Sequence, residues 1–320
     1  MARFGIQLAD FRSPQGDADL FERASAAALA AEDAGFDSAW VMDHFHQLPP
    51  FMDRADPMPE AYSMLAALAA RTTRLRLGAL VTGVTYRNPA LLAKTVTTLD
   101  VISGGRAVLG LGASWQEDEY VAYGFGRELP GVKERLDRLE DALIICRAMF
   151  DEPSAHHAGT HHRVTDALNV PRPVQPGGPP ILIGGGGEKR LLRLVARYGD
   201  MCNLFGDPDT VRHKLAVLDR HCADVGRDPS EISRSHLGGV VLGETDAEAR
   251  ERAEALVSAG LPRDMVDGFF MVGGPETLRA RVGEYLDAGL DTMLFLRPGS
   301  WDPESVGALG RALAPLTDGP

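Results

Sequence analysis

Short runs of Val, Ile, Leu and Ala alternate along this chain with longer segments whose apolar residues recur every three or four positions. The first kind reads as strands buried on both faces, the second as helices that cover a sheet. Strands are predicted at 4–9, 38–42, 75–81, 107–111, 180–183, 201–204, 236–242, 269–272 and 292–296. Helices are predicted at 19–34, 61–70, from Pro89 onward, and at 132–150, 188–198, 211–225, 246–258 and 276–288. In the first helix Leu20, Ala24, Ala27, Ala28 and Ala31 form one stripe, and Gly35 ends it. About eight strand–helix repeats with no break in composition favour a closed parallel α/β barrel over an open doubly wound sheet. A single domain over 1–320 is expected, because no Ser/Gly linker divides the chain.

Two connections are too long for plain turns. The first, 43–60, contains four prolines together with Phe45, Phe51 and Met58, and leaves the C-terminal end of a strand, the face where such barrels keep their chemistry. It is expected to close over a rather apolar substrate. The second, 151–178, is proline-rich and carries His156, His157, His161 and His162, which read as solvated residues of an insertion.

Composition narrows the function classes. Of 320 residues, 44% are hydrophobic and 24% charged, the balance of a protein with a large core and not of a disordered chain. No apolar run approaches the ~20 residues of a membrane span, and the first residues lack a basic segment followed by an apolar one, so no signal peptide is expected. Three scattered cysteines, Cys146, Cys202 and Cys222, argue against a disulfide framework and for a cytoplasmic protein. The net charge of −12 repels phosphate backbones, so nucleic acid is not an expected partner.

Candidate chemistry gathers at strand ends. Asp43-His44-Phe45-His46 follows the second strand, where a His can serve as general acid or base and a neighbouring Asp can orient it or meet a cofactor. A metal on His44 and His46 would need further ligands. The later strand ends supply Gly184–Gly187, Asn203 and Arg297-Pro298 instead, so no metal is expected. Gly184–Gly187, followed by Glu188 and Lys189, is a strand–glycine–helix junction whose N–H groups suit a phosphate; a tight turn is the alternative. Gly110-Leu111-Gly112-Ala113-Ser114-Trp115 offers small residues on which a flat ring could lie, with Trp115 as either a stacking wall or core. G-x-S-x-G is absent, so no hydrolase nucleophile elbow is expected.

Six motifs occur in one order: Asp43-His44-Phe45, Tyr86-Arg87-Asn88-Pro89-Ala90, Ser103-Gly104-Gly105-Arg106, Gly110–Trp115, Pro180–Gly187 with Val195–Asp200, and Val272–Glu276 leading to Asp287–Leu290. Over nearly its whole length the chain resembles the bacterial luciferase-like monooxygenase superfamily, in its branch of coenzyme F420-dependent oxidoreductases. The resemblance implies a TIM barrel that binds the deazaflavin at the C-terminal face of its strands and commonly forms a homodimer. It implies that Asp43 contacts the deazaflavin and that His44 lies near the hydride-transfer carbon. It also implies a non-prolyl cis peptide at Ala79-Leu80 under the ring, ring or ribityl contacts from Thr82, Gly112 and Ala113, and a phosphate cradle of Gly185, Gly186 and Gly187. His46, Phe51 and Trp115 are the expected substrate-pocket residues. Dehydrogenase members of the branch carry a Trp shortly after the His and a Glu after the fourth strand, where this chain has Leu48 and Trp115. The implied activity is therefore reduction of an activated C=C or C=N of a small organic substrate by hydride from the reduced deazaflavin, with His44 as proton donor. The alternative is an FMN-dependent monooxygenase that uses O2.

Overall fold

A computed structural model describes residues 1–14 and 16–317. Its strands are β1 (Arg3–Leu8), β2 (Ser38–Val41), β3 (Arg76–Ala79), β4 (Thr82–Gly83), β5 (Ala107–Gly112), β6 (Ala155–Ala158), β7 (Arg163–Ala167), β8 (Ile181–Gly184), β9 (Met201–Leu204), β10 (Ser233–Leu242), β11 (Phe270–Gly273) and β12 (Thr292–Leu296). β1, β2, β3, β5, β8, β9, β10 and β12 pair in parallel, and the β10–β12 and β12–β1 ladders close the ring. With helices between successive strands, this is the expected TIM barrel.

The barrel interior is filled from the strands by Trp40, Val108, Leu182, Met201, Leu237 and Leu294. A second apolar layer lies between strands and helices, where the stripe Ala24, Ala27, Ala28 and Ala31 is buried as the periodicity predicts. The helix caps are written in the sequence: Glu60 accepts from the Tyr62 and Ser63 N–H groups, and Asn88 from those of Ala90 and Leu91, with Pro89 in the first turn. One motif of the resemblance is structural. The Arg106 guanidinium donates to the carbonyls of Ala69, Thr72, Leu75 and Ser103, tying two helix ends to the barrel floor.

Four local outcomes differ from the sequence expectation. The strand expected at 75–81 ends at Ala79 as β3, β4 begins only at Thr82, and the non-prolyl cis bond joins Leu80 to Val81, one residue beyond the expected position. The strand expected at 269–272 forms as β11 but lies outside the ring. The lower half of the ten-residue β10 is taken by β9 and β12, and its upper half, Gly239–Leu242, holds β11. The 151–178 connection contains the antiparallel β6–β7 hairpin. There the His157 ring and the His161 and His162 backbone N–H groups converge on Asp141, so these histidines are not all solvated. A final helix, Pro303–Thr317, was hidden by Gly307, Gly310 and Pro315. Gly310 has a packing reason: a Cβ there would lie 2.8 Å from the Ala34 Cβ, so its absence lets this helix close on the first one. Among the described residues no helix is long and apolar enough to cross a membrane.

Candidate active site

The C-terminal strand ends open onto a cavity of about 500 Å³. Its wall includes Asp43, His44, Leu80, Gly112, Ala113, Gly185, Phe51 and Trp115 from the expected site. Five others are not on that wall. Ala79 is fully buried beneath it, the Thr82 hydroxyl is spent on the Tyr62 hydroxyl at 2.6 Å, and the His46 Nδ1 turns to the Gln47 carbonyl. Gly186 and Gly187 continue the glycine corner beyond the wall, where Lys214 donates to the Gly186 carbonyl at 2.8 Å.

The residues after β2 acquire opposite partners. Asp43, 2% exposed, accepts two hydrogen bonds from one guanidinium: Arg87 Nη2 at 2.6 Å and Nε at 3.3 Å. Arg87 also donates to Glu60 at 2.9 Å and lies over the Tyr62 ring. Burial pushes the Asp43 carboxyl above the ordinary aspartate value, against the pull of the guanidinium. His44 instead shares Nδ1 with Glu119 Oε2 at 2.8 Å, and Glu119 is fully buried. The same carboxylate accepts from the Phe45 N–H at 2.8 Å, the His46 N–H at 3.2 Å and the Tyr86 hydroxyl at 3.1 Å. Burial opposes ionisation, yet the hydrogen bonds, led by that of His44, hold Glu119 below the ordinary glutamate value. A carboxylate on Nδ1 fixes the imidazole and leaves Nε2 as the nitrogen available to a substrate.

The sequence did not aim Glu119 at His44. It sits in the acidic run Glu117-Asp118-Glu119, and burial alone distinguishes it: its two neighbours are exposed on the short helix Glu117–Ala122. Arg87 and Tyr86 belong to a motif of the resemblance, but nothing in their spacing points to Asp43 or Glu119. Gln7 was also missed. It lines the cavity from β1, donates to the Leu80 carbonyl at 3.2 Å, and its Oε1 has no partner.

Small residues shape the wall at the ends of β5 and β8. The Val81 side chain fills the space that a Cβ on Gly112 or Gly184 would need, at 2.6 and 2.8 Å. Gly185 has φ +126°, a conformation that side chains avoid. Ser114 has φ 58°; its hydroxyl accepts from the Thr85 hydroxyl at 2.8 Å, and its carbonyl accepts from Arg135. That pedestal carries Trp115, which is 62% exposed and therefore not core, with its ring edge-on to the His44 imidazole at 5.8 Å.

Loop 43–60 is anchored at one end and borders the cavity at the other. Phe45 packs among Tyr86, Tyr123 and Phe125, and Gln47 donates to the Ala9 and Pro57 carbonyls. Phe51 lies on the cavity wall beside Phe269 and Phe270, while Met58 is not on it. Among the described residues no group of three or more His, Cys, Asp or Glu is placed to hold a metal ion.

Comparisons agree with this architecture. A family model described as luciferase-like monooxygenase matches residues 2–292. An F420-dependent glucose-6-phosphate dehydrogenase from Amycolatopsis mediterranei is 30% identical over 318 residues, covering 89% of this chain and 90% of that protein. The fold is that of the F420-dependent tetrahydromethanopterin reductase of Methanopyrus kandleri, with TM-score 0.78, 18% identity and 98% and 99% of the two chains covered. It is equally that of the monooxygenase RslO1 from Streptomyces bottropensis, with TM-score 0.81, 24% identity and 98% of each chain covered.

Proposed function

This chain belongs to the luciferase-like monooxygenase family, and from that premise we propose that it is a coenzyme F420-dependent oxidoreductase in which His44 moves the proton that accompanies hydride transfer. The observation that carries the reading is His44, held by the buried Glu119, on the wall of a cavity that the glycine corner also lines. The kinship with F420-dependent dehydrogenases supports F420 over FMN.

The residues present fit that cofactor. Gly185, Gly186 and Gly187 with Lys214 suit its phosphorylated tail, Gly112 and Ala113 form a shelf without bulk, and the unpartnered Gln7 Oε1 can accept a ring N–H. When bound, the deazaflavin supplies the carbon that gives or takes hydride. Asp43, fixed by two hydrogen bonds from Arg87, would meet the deazaflavin, and the apolar residues of the wall would exclude water. His44 Nε2 gives a proton to the substrate in reduction, or takes one in oxidation, with the Glu119 carboxylate stabilising the imidazolium that each cycle requires.

Leu48 and Trp115 in place of the dehydrogenases' Trp and Glu favour reduction. Glu119 supplies His44 with a carboxylate from another position, so the pair serves both directions. Reduction of an activated C=C or C=N is the direction we propose, on a neutral small molecule. We further propose one domain, a cytoplasmic location in keeping with three free, buried cysteines, and a homodimer. Exposed Leu91, Val101 and Ile102 on the helix Pro89–Ser103, and Val170, which Lys94 ties to that helix, are apolar surface suited to a second copy.

The test is titration of the protein with F420 and with FMN, followed by reoxidation of the bound reduced form with and without O2. Tight F420 binding with oxygen-independent reoxidation is expected; FMN binding with oxygen-dependent turnover would replace this reading by the monooxygenase one. His44→Ala is expected to lower turnover by roughly 10²–10⁴-fold with F420 affinity nearly unchanged.

A further inference from the structure

The charges on the cavity wall bear on which substrate it admits. Among the described residues the Lys and Arg side chains on that wall are Arg12 and Arg297 alone. Arg12 is already paired with Asp10 at 2.5 Å and with Asp56 at 3.6 Å. Arg297 is paired with Asp302 at 3.0 Å and lies over the Trp301 ring. The carboxylates on the same wall are the partners in such pairs, Asp10 with Arg12 and Asp43 with Arg87, so the wall offers no unpaired cation. An anionic substrate group would have to leave water for a site whose cations are each neutralised, which costs more than it returns. Lys214 at the glycine corner is likewise paired, with Glu188 at 3.4 Å, so an anion there rests on the backbone N–H groups of the corner, the place proposed for the cofactor's own phosphate.

The rest of the wall points to what fits instead. Phe51, Phe269, Phe270, Leu237 and Leu296 form an apolar face, and Trp115 presents an exposed indole beside His44. A solvent-facing indole on a rigid pedestal next to a proton-transfer group is a platform for a flat apolar ring. Resting on the hydride-transfer function proposed above, we infer that the substrate is an uncharged molecule bearing a flat apolar ring that stacks on Trp115, and not a sugar phosphate of the kind for which the Amycolatopsis relative is named.

The experiment separates this from the cofactor assignment. F420 binding is read first from the coenzyme's own visible absorbance; its absence sinks the proposed function and leaves the ligand titrations to be read on the free protein. Cinnamyl alcohol, cinnamate and glucose 6-phosphate are then titrated by calorimetry, in parallel with acrylamide quenching of tryptophan fluorescence. Trp40 and Trp301 are buried, so quenchable emission belongs to Trp115. We expect the alcohol to bind roughly tenfold or more tightly than cinnamate and to protect Trp115, and glucose 6-phosphate to do neither. Trp115→Ala should weaken the alcohol by about 2–10-fold, and Trp115→Phe should restore most of that loss. Equal binding of alcohol and cinnamate, protection of Trp115 by glucose 6-phosphate, or an alcohol affinity unchanged in Trp115→Ala would each overturn the inference.

Discussion

Asp43 and Glu119 are two carboxylates buried at the same strand ends, and the protein treats them in opposite ways. Asp43 faces a single permanent cation, Arg87, yet its carboxyl is pushed up by burial. Glu119 faces no guanidinium or ammonium, only the imidazoles of His44 at 2.8 Å and His46 at 3.7 Å, yet its carboxyl is held down. The difference lies in the donors each receives and in the Glu60 carboxylate, whose like charge raises Asp43 further. Glu119 receives hydrogen bonds from two backbone N–H groups, a ring nitrogen and a hydroxyl, whereas both bonds to Asp43 come from one guanidinium that Glu60 shares. In a buried site the count of aimed dipoles decides the ionisation balance as strongly as the sign of the nearest charge. Hence Glu119 suits a constant orienting anion, and Asp43 a carboxyl whose state responds to what is placed beside it.

The largest effect expected from breaking this contrast is Arg87→Met, which leaves Asp43 buried without its cation. A loss of about 3–5 kcal/mol is expected in chemical denaturation. A loss below about 1 kcal/mol, within the range of exposed pairs, would mean that the pair behaves as a surface one. Glu119→Gln keeps the shape but offers one carbonyl oxygen to four donors. It is expected to cost about 1–3 kcal/mol and to lower turnover on the order of 10²-fold with F420 affinity unchanged. Wild-type turnover in this variant would show that His44 needs no carboxylate. Tyr86→Phe removes a single donor from Glu119 and should cost about 1 kcal/mol.

The subtlest test is the pH dependence of stability. Glu119 sits below its ordinary value of 4.5, so its stabilisation is full above that pH and is lost as pH falls through the lower folded value. Asp43 sits above its ordinary value of 3.8, so the folded state takes up its proton first, and its contribution rises as pH falls and is lost as pH rises. Thermal unfolding between pH 7 and pH 3 should therefore show a shallower acid loss in Glu119→Gln and a steeper one in Asp43→Asn than in the parent (pH values on the order of the reference carboxylate range). Shifts of the same sign in both variants would remove the contrast.

Hydrophobic periodicity was enough for the barrel, because each repeat buries its own strand and helix face, and a period of two or 3.6 is a local property. It failed where pairing was non-local. β11 looks like any other buried strand, and only the length of β10 and the prior claim of β9 and β12 leave it outside the ring. The final helix failed as a reading because Gly310 and Pro315 are helix breakers in isolation; what favours the glycine is the nearness of Ala34, distant in sequence.

The candidate site divides in the same manner. Strand ends, glycine corners and the position of His44 are legible along the chain, since the backbone direction of a parallel strand already says which end carries chemistry. The partner of each charged group is not. Glu119 lies 75 residues from His44, and Arg87 lies 44 residues from Asp43. Composition, periodicity and motif spacing were sufficient for the class of fold, for the strand ends that open onto the cavity and for the placing of His44 on its wall. Closure of the barrel selected one carboxylate of three in an acidic run, turned Thr82 and His46 away from the cavity and left Trp115 standing at its mouth, because burial and hydrogen-bond partnership are properties of packed space and have no signature in residue order.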